Sequence, residues 1–100
     1  MEYKVRLKPR AKRFILSQPA AVQNQLIRQL DRLRKDPVPK NSTELDADRQ
    51  IYRVKCKKYR ILYQVQKHKL IILVVSVGDR KGVERFRKEL TKVMKKRSSK

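Results

Sequence analysis

Alternation opens the chain. Over residues 2–8, Tyr3, Val5 and Leu7 fall on one side and Lys4, Arg6 and Lys8 on the other, which predicts a half-buried strand. Pro9 suits the first turn of a helix, and Ala11, Phe14 and Ile15 follow at helical spacing, so a short helix is expected over 9–17. Ser17 is the expected N-cap of a second helix, with Pro19 in its first turn. Val22, Leu26, Leu30 and Leu33 form one apolar stripe along that helix. It stops at Asp36-Pro37-Val38-Pro39, because proline lacks an N–H and the residue before it disfavours helix. Residues 40–49 are polar and read as a loop.

Strand patterns follow at 50–56, 59–66 and 69–77, separated by Lys57-Lys58 and Lys67-His68. Such short connections require antiparallel hairpins. Pairing about Lys57-Lys58 sets Cys56 opposite Tyr59, Lys55 opposite Arg60, Val54 opposite Ile61 and Arg53 opposite Leu62. Tyr52, Val54, Cys56, Tyr59, Ile61 and Tyr63 then share an apolar face for the helices, and Arg53, Lys55 and Arg60 share the other. The last strand is apolar on both sides and is expected to be central or covered on both faces. Val83, Phe86, Leu90, Val93 and Met94 predict a C-terminal helix over 81–94. The predicted order is β-α-α-β-β-β-α. It describes an α+β domain with a mostly antiparallel four-stranded sheet, an N-terminal helical hairpin on one face and a C-terminal helix. Residues 1–97 are expected to form that single domain, with 98–100 a frayed basic tail.

Composition changes the picture from fold to partner. Lys and Arg number 29 against 9 Asp and Glu, a formal net charge of +20 on 100 residues. That balance argues for a polyanionic partner, most simply nucleic acid. One cysteine and one histidine exclude a disulfide framework and a Cys/His zinc site. The longest apolar run, Leu70 to Val75, is too short to span a bilayer, and no signal-peptide pattern opens the chain. A cytoplasmic protein without membrane, metal or small-molecule cofactor is expected. From Arg49 to Gly78 there is no acid and there are eight Lys and Arg.

The hairpin register gives that charge a focus. The last strand runs antiparallel to 59–66, so its end from Ser76 to Arg80 returns to the edge carrying Lys55 and Arg60, with Gly78 expected to permit a tight exit. Like charges directly opposite each other in a sheet are destabilising, so their presence points to a use. Cations around a phosphate stabilise a phosphoryl-transfer transition state. RNA carries its own nucleophile in the 2′-OH and needs only a base, an acid and charge stabilisation. A lysine serves as base only as the free amine, and the neighbouring arginines disfavour its ammonium form.

At these residues the chain resembles a known family. YRVKCKKYRILYQV, LIILVVSVGDRKGVER and the opening YKVRLKPRAKR are similar to the RelE toxins of bacteria and archaea, over nearly the whole chain in order and spacing. The resemblance implies a toxin of a type II toxin–antitoxin pair that enters the ribosomal A site and cuts mRNA by 2′-OH attack, leaving a 2′,3′-cyclic phosphate. By position it implies Lys55 as general base, Arg53 as the basic neighbour assisting it and Arg60 as the transition-state arginine. Arg80 would bind phosphate and serve as the acid. Where the family often has a tyrosine, this chain reads Gly82-Val83-Glu84-Arg85-Phe86. Phe86 can stack on a base but donates no phenolic proton; Glu84 is nearest the expected place. Both are candidate substrate contacts, with Lys57 and Lys58. Basic residues from Lys4 to Arg13 and from Lys88 to Arg97 would grip rRNA phosphates. A cognate antitoxin, rRNA and mRNA are the implied partners.

Plainer readings stand beside these. Phe86 suits the core of the last helix, and Glu84 a surface carboxylate. Cys56, Tyr59 and Tyr63 fall on the core face, His68 at a hairpin tip, and Glu44, Asp46 and Asp48 where they offset charge or pair with Arg49. Alternative functions are a ParE-like toxin that inhibits gyrase, a non-enzymatic basic RNA-binding protein, and a toxin whose chemistry has decayed with the missing tyrosine.

Overall fold

Pro9 ends the first alternating run and starts a helix: β1 covers Lys4–Leu7 and α1 covers Pro9–Leu16. The structure, a computed structural model, describes residues 2–79, 81–83, 85 and 88. Ser17 closes α1 rather than opening the next helix, correcting the expected N-cap. Its hydroxyl donates to the Phe14 carbonyl at 2.7 Å, and its N–H points back to Arg13 and Phe14. A hydroxyl at that position finds a nearer acceptor in the turn just completed than a donor in the turn to come. α2 runs Ala20–Lys35 behind Pro19 and ends at Asp36, whose extended backbone is what Pro37 demands.

The remaining strands are β2 (Ser42–Asp46), β3 (Ile51–Cys56), β4 (Tyr59–Gln66) and β5 (Ile71–Asp79). They form a five-stranded sheet in the order β1-β5-β4-β3-β2. The pairings β2–β3, β3–β4 and β4–β5 are antiparallel and β1–β5 is parallel. This corrects the four-stranded sheet, because residues 42–46, read as loop, are an edge strand. STELD has no apolar alternation to reveal it; β2 is held through its backbone pairing with β3, and its one apolar side chain, Leu45, packs half-buried against Ile51, Leu62 and Val83. The second hairpin turn occupies 67–70 rather than two residues, with Leu70 left-handed at φ 55°.

The β3–β4 register pairs Lys55 with Arg60 and Cys56 with Tyr59, as the alternation required. Ala11, Ile15, Leu26, Leu30 and Leu33 from the helices pack against Tyr52, Val54, Cys56, Tyr59, Ile61 and Tyr63. β5 is an interior strand, between β1 and β4. A bulge in β5 separates the pairs Tyr63–Val74 and Leu62–Ser76. The extra residue puts Val74 and Val77 on the helix side and sets Gly78 opposite Arg60. On the other face Ile51, Leu62 and Val83 make a small second core. Among the described residues beyond β5, Lys81, Gly82, Val83, Arg85 and Lys88 are helical. Arg80, Glu84, Phe86, the rest of the expected C-terminal helix and the tail lie outside the described residues. No helix among the described residues is long and apolar enough to cross a membrane.

Candidate functional site

Lys55 and Arg60 face each other across the β3–β4 ladder, next to a tight turn whose Lys57 is left-handed at φ 55°. Lys55 is exposed and Arg60 half-buried, beside Gly78 of β5. Arg53 is half-buried on the same face of β3, two residues from Lys55 and opposite Leu62. The Arg60 guanidinium turns back onto the turn: Nη1 donates to the Lys57 carbonyl at 3.3 Å and the Tyr59 carbonyl at 3.2 Å. That anchoring holds a long side chain over the end of the sheet and leaves its fork directed from a fixed stem. The strand under Lys55 is clamped as well. Asn41 Nδ2 donates to the Lys55 carbonyl at 2.9 Å, and the Lys55 N–H donates to the Asn41 carbonyl at 3.3 Å. Asn41 is the residue that the sequence reading missed, since it lies in the stretch taken as loop.

The two turn lysines part company. Lys57 is exposed at the turn, whereas Lys58 sets its Nζ 5.4 Å from the centre of the Tyr59 ring, whose side chain belongs to the helix-side core. Gly78 has no left-handed backbone, so the chain leaves β5 without glycine's special freedom. The exit is built instead by Asp79, whose Oδ1 accepts the Gly82 N–H at 2.8 Å, an N-cap on the helical residues that follow. Asp79→Ala is expected to cost about 0.5–2 kcal/mol in a urea denaturation series, and an unchanged midpoint would contradict the cap.

The plainer readings hold for several neighbours. His68 is exposed, and Tyr59 and Tyr63 are core residues. Arg49 pairs with Asp46 at 3.1 Å. The Arg49 N–H, followed by its guanidinium, holds the Asp46 carboxyl below its ordinary value. Cys56 is buried, and desolvation pushes its thiol up even though the charges of Lys57 and Arg32 pull the other way. Its reaction with iodoacetamide at pH 8 is expected to be about 10-fold or more slower in the native protein than in urea, as the thiolate is the reactive form. Equal rates would contradict that burial. Among the described residues, no cluster of His, Cys, Asp and Glu is arranged to hold a metal ion.

A family model described as the ParE toxin of the type II toxin–antitoxin system parDE matches residues 5–84. A search of curated proteins gives no match. Among solved structures, a double mutant of the E. coli toxin RelE in the free state is 25% identical, with a TM-score of 0.74, covering 93% of this chain and 99% of that one. The toxin of the intact E. coli RelBE toxin–antitoxin complex is 28% identical, with a TM-score of 0.67 over 77% of this chain and 95% of that one. The archaeal RelE–RelB complex from Pyrococcus horikoshii matches at 24% identity and a TM-score of 0.73, over 80% of this chain and 97% of that one, a likeness of fold. With a matched span that runs from β1 through β5 into the helical residues beyond, the chain belongs to the ParE toxin family, in the RelE/ParE superfamily of type II toxin–antitoxin toxins.

Proposed function

We propose that this toxin is a ribosome-dependent, metal-independent mRNA endonuclease that cuts in the A site. The observation that carries the reading is the pairing of Lys55 with Arg60 at the sheet end, with Arg53 on the same face. Two cations held opposite each other cost stability and suit a site that a phosphate neutralises. In the reaction the 2′-oxygen loses its proton to the Lys55 amine and attacks phosphorus. A new O–P bond closes the 2′,3′-cyclic phosphate while the bond from phosphorus to the 5′-oxygen breaks. The leaving oxygen takes a proton from the acid, a role given to Arg80 by the RelE resemblance. Arg60 stabilises the charge that builds on the phosphate oxygens, and Arg53 supports Lys55. The remaining basic surface would bind rRNA phosphates, an attachment that weakens steeply with salt. A cognate antitoxin is the expected protein partner, as RelB is for the toxins of the archaeal RelE–RelB and E. coli RelBE complexes.

A second reading is gyrase inhibition without RNA cleavage, favoured by the ParE description of the matching family. Parallel assays separate the two. The nuclease reading expects cuts in mRNA on programmed ribosomes at toxin concentrations that leave gyrase supercoiling untouched. The opposite pattern would replace it with the gyrase reading.

A further inference from the structure

Around the sheet end from Lys55 and Arg60 there is a recess lined by Lys58 but by none of Lys55, Arg53 and Arg60. It is an open cleft of about 650 Å³ between α1, the β3–β4 turn and the end of β5. Phe14 and Tyr59 line it and meet edge to face, with ring centroids 5.9 Å apart and planes at 67°. Phe14 is half-buried, so part of its ring is accessible. Val77 adds an aliphatic surface, and Gln18 adds an amide whose Nε2 donates to Ser17 Oγ at 3.1 Å and whose Oε1 accepts from the Tyr59 hydroxyl at 3.5 Å, which leaves one N–H and one lone pair for a ligand. Arg10, Lys58 and Arg85 bring positive charge to the lining. The lining carboxylate, Asp79, is engaged in the Gly82 N–H cap.

An apolar aromatic wall, an amide and several cations in one recess match the parts of a nucleotide: a flat base, its polar edge and a phosphate. The volume lies within the range of small-ligand clefts. Location supplies the connection to the proposed chemistry. Gly78 lines the cleft and is also the register partner of Arg60, so an RNA strand crossing the end of β5 meets both places. We infer that this cleft holds one nucleotide of an RNA strand, its base against Phe14 and Gln18 and its phosphate among Arg10, Lys58 and Arg85. The inference rests on the reading of RNA as substrate, and it assigns Phe14 and Gln18 as contacts for a base beside the scissile position.

The test is an NMR titration of the full chain at low salt with the RNA trinucleotide AAA, AMP, ribose 5-phosphate and inorganic phosphate. AAA is expected to move the signals of Phe14, Gln18 and Val77 in a saturable way, and ribose 5-phosphate and phosphate to leave those three nearly unmoved. Phe14→Leu keeps an apolar side chain and should weaken AAA binding about 10-fold, with Phe14→Trp restoring it, as expected for base stacking. Unmoved core signals at Leu33 and Ile72 verify that both variants fold. Equal shifts with phosphate alone would make the cleft a plain anion site and overturn the inference. So would saturable binding of AMP without AAA, which assigns a free nucleotide. So would AAA shifts spread over Lys4, Arg6 and the other surface cations without focus on the cleft. No ribosome or cleavage enters this assay. A chain that cuts mRNA but leaves the cleft silent loses only this inference; one that binds AAA in the cleft but cuts nothing loses only the nuclease reading.

Discussion

Arg60→Ala is expected to slow mRNA cleavage on programmed ribosomes about 100-fold or more, while ribosome association changes little. Arg60 is half-buried at the sheet end, its guanidinium anchored through Nη1 to the carbonyls of Lys57 and Tyr59. A fixed cation aimed at a developing charge does far more for a transition state than a mobile one on the surface. Ribosome association, by contrast, would draw on many of the 29 Lys and Arg, so losing one is expected to have a small effect. Arg60→Lys keeps the charge but lacks the planar fork, and it should recover only part of the rate. The comparison variant is Lys4→Ala, an exposed cation on β1, the far edge strand from β2. Primer-extension rates and thermal melting of the three variants decide the point. If Lys4→Ala loses as much cleavage as Arg60→Ala, the charge acts collectively and the residue has no special role.

Tyr63 carries the largest expected effect on stability. It is fully buried at the centre of β4, stacks on Tyr52 with centroids 5.9 Å apart, and donates its hydroxyl to the Pro37 carbonyl at 2.6 Å. Burial raises its ionisation above the ordinary tyrosine range, so the hydroxyl stays a donor throughout the working pH. That bond fastens the segment after α2, where Pro37 has already ended the helix, onto the middle of the sheet. Tyr63→Ala is expected to cost about 3–5 kcal/mol through the cavity it leaves. Tyr63→Phe keeps the ring but strands the Pro37 carbonyl, for about 1–3 kcal/mol. Urea midpoints measure both, and a neutral Tyr63→Phe would mean that water satisfies that carbonyl.

Residues 51–66 were legible in the sequence because two constraints coincide there. Tyr52, Val54, Ile61 and Tyr63 recur at every second position and share one face to be buried, Ile51 and Leu62 being the apolar residues opposite, and a two-residue turn leaves a single register that buries that face. The pairing of Lys55 with Arg60 follows from that register without any knowledge of the tertiary fold. The bulge in β5 was not legible. IILVVSV is apolar at nearly every position, so a one-residue shift leaves no mark in its pattern. β2 was hidden for the opposite reason: STELD offers backbone pairing with hardly any apolar side chain to announce it. With β2 went Asn41, whose amide and carbonyl clamp Lys55 from fourteen residues away in the chain. Ser17 failed as an N-cap because a serine between two helices can serve either one, and the hydroxyl bonded backwards. The cleft draws Phe14, Tyr59 and Val77 from three elements, a convergence that no local spacing encodes. The roles given to Lys55, Arg53, Arg60 and Arg80 came from the RelE resemblance and remain proposals.

The proposed reaction begins with 2′-OH attack on mRNA in the ribosomal A site. Its most direct test is a programmed ribosome carrying mRNA with a single 2′-deoxy nucleotide at the cut position, run beside the all-ribose message and a ribosome-free control. The expected result is cutting of the all-ribose message only on the ribosome, a 2′,3′-cyclic phosphate on the product, and no cut at the deoxy position. Cleavage that survives the deoxy substitution, or an intact all-ribose message alongside inhibited gyrase, would contradict it.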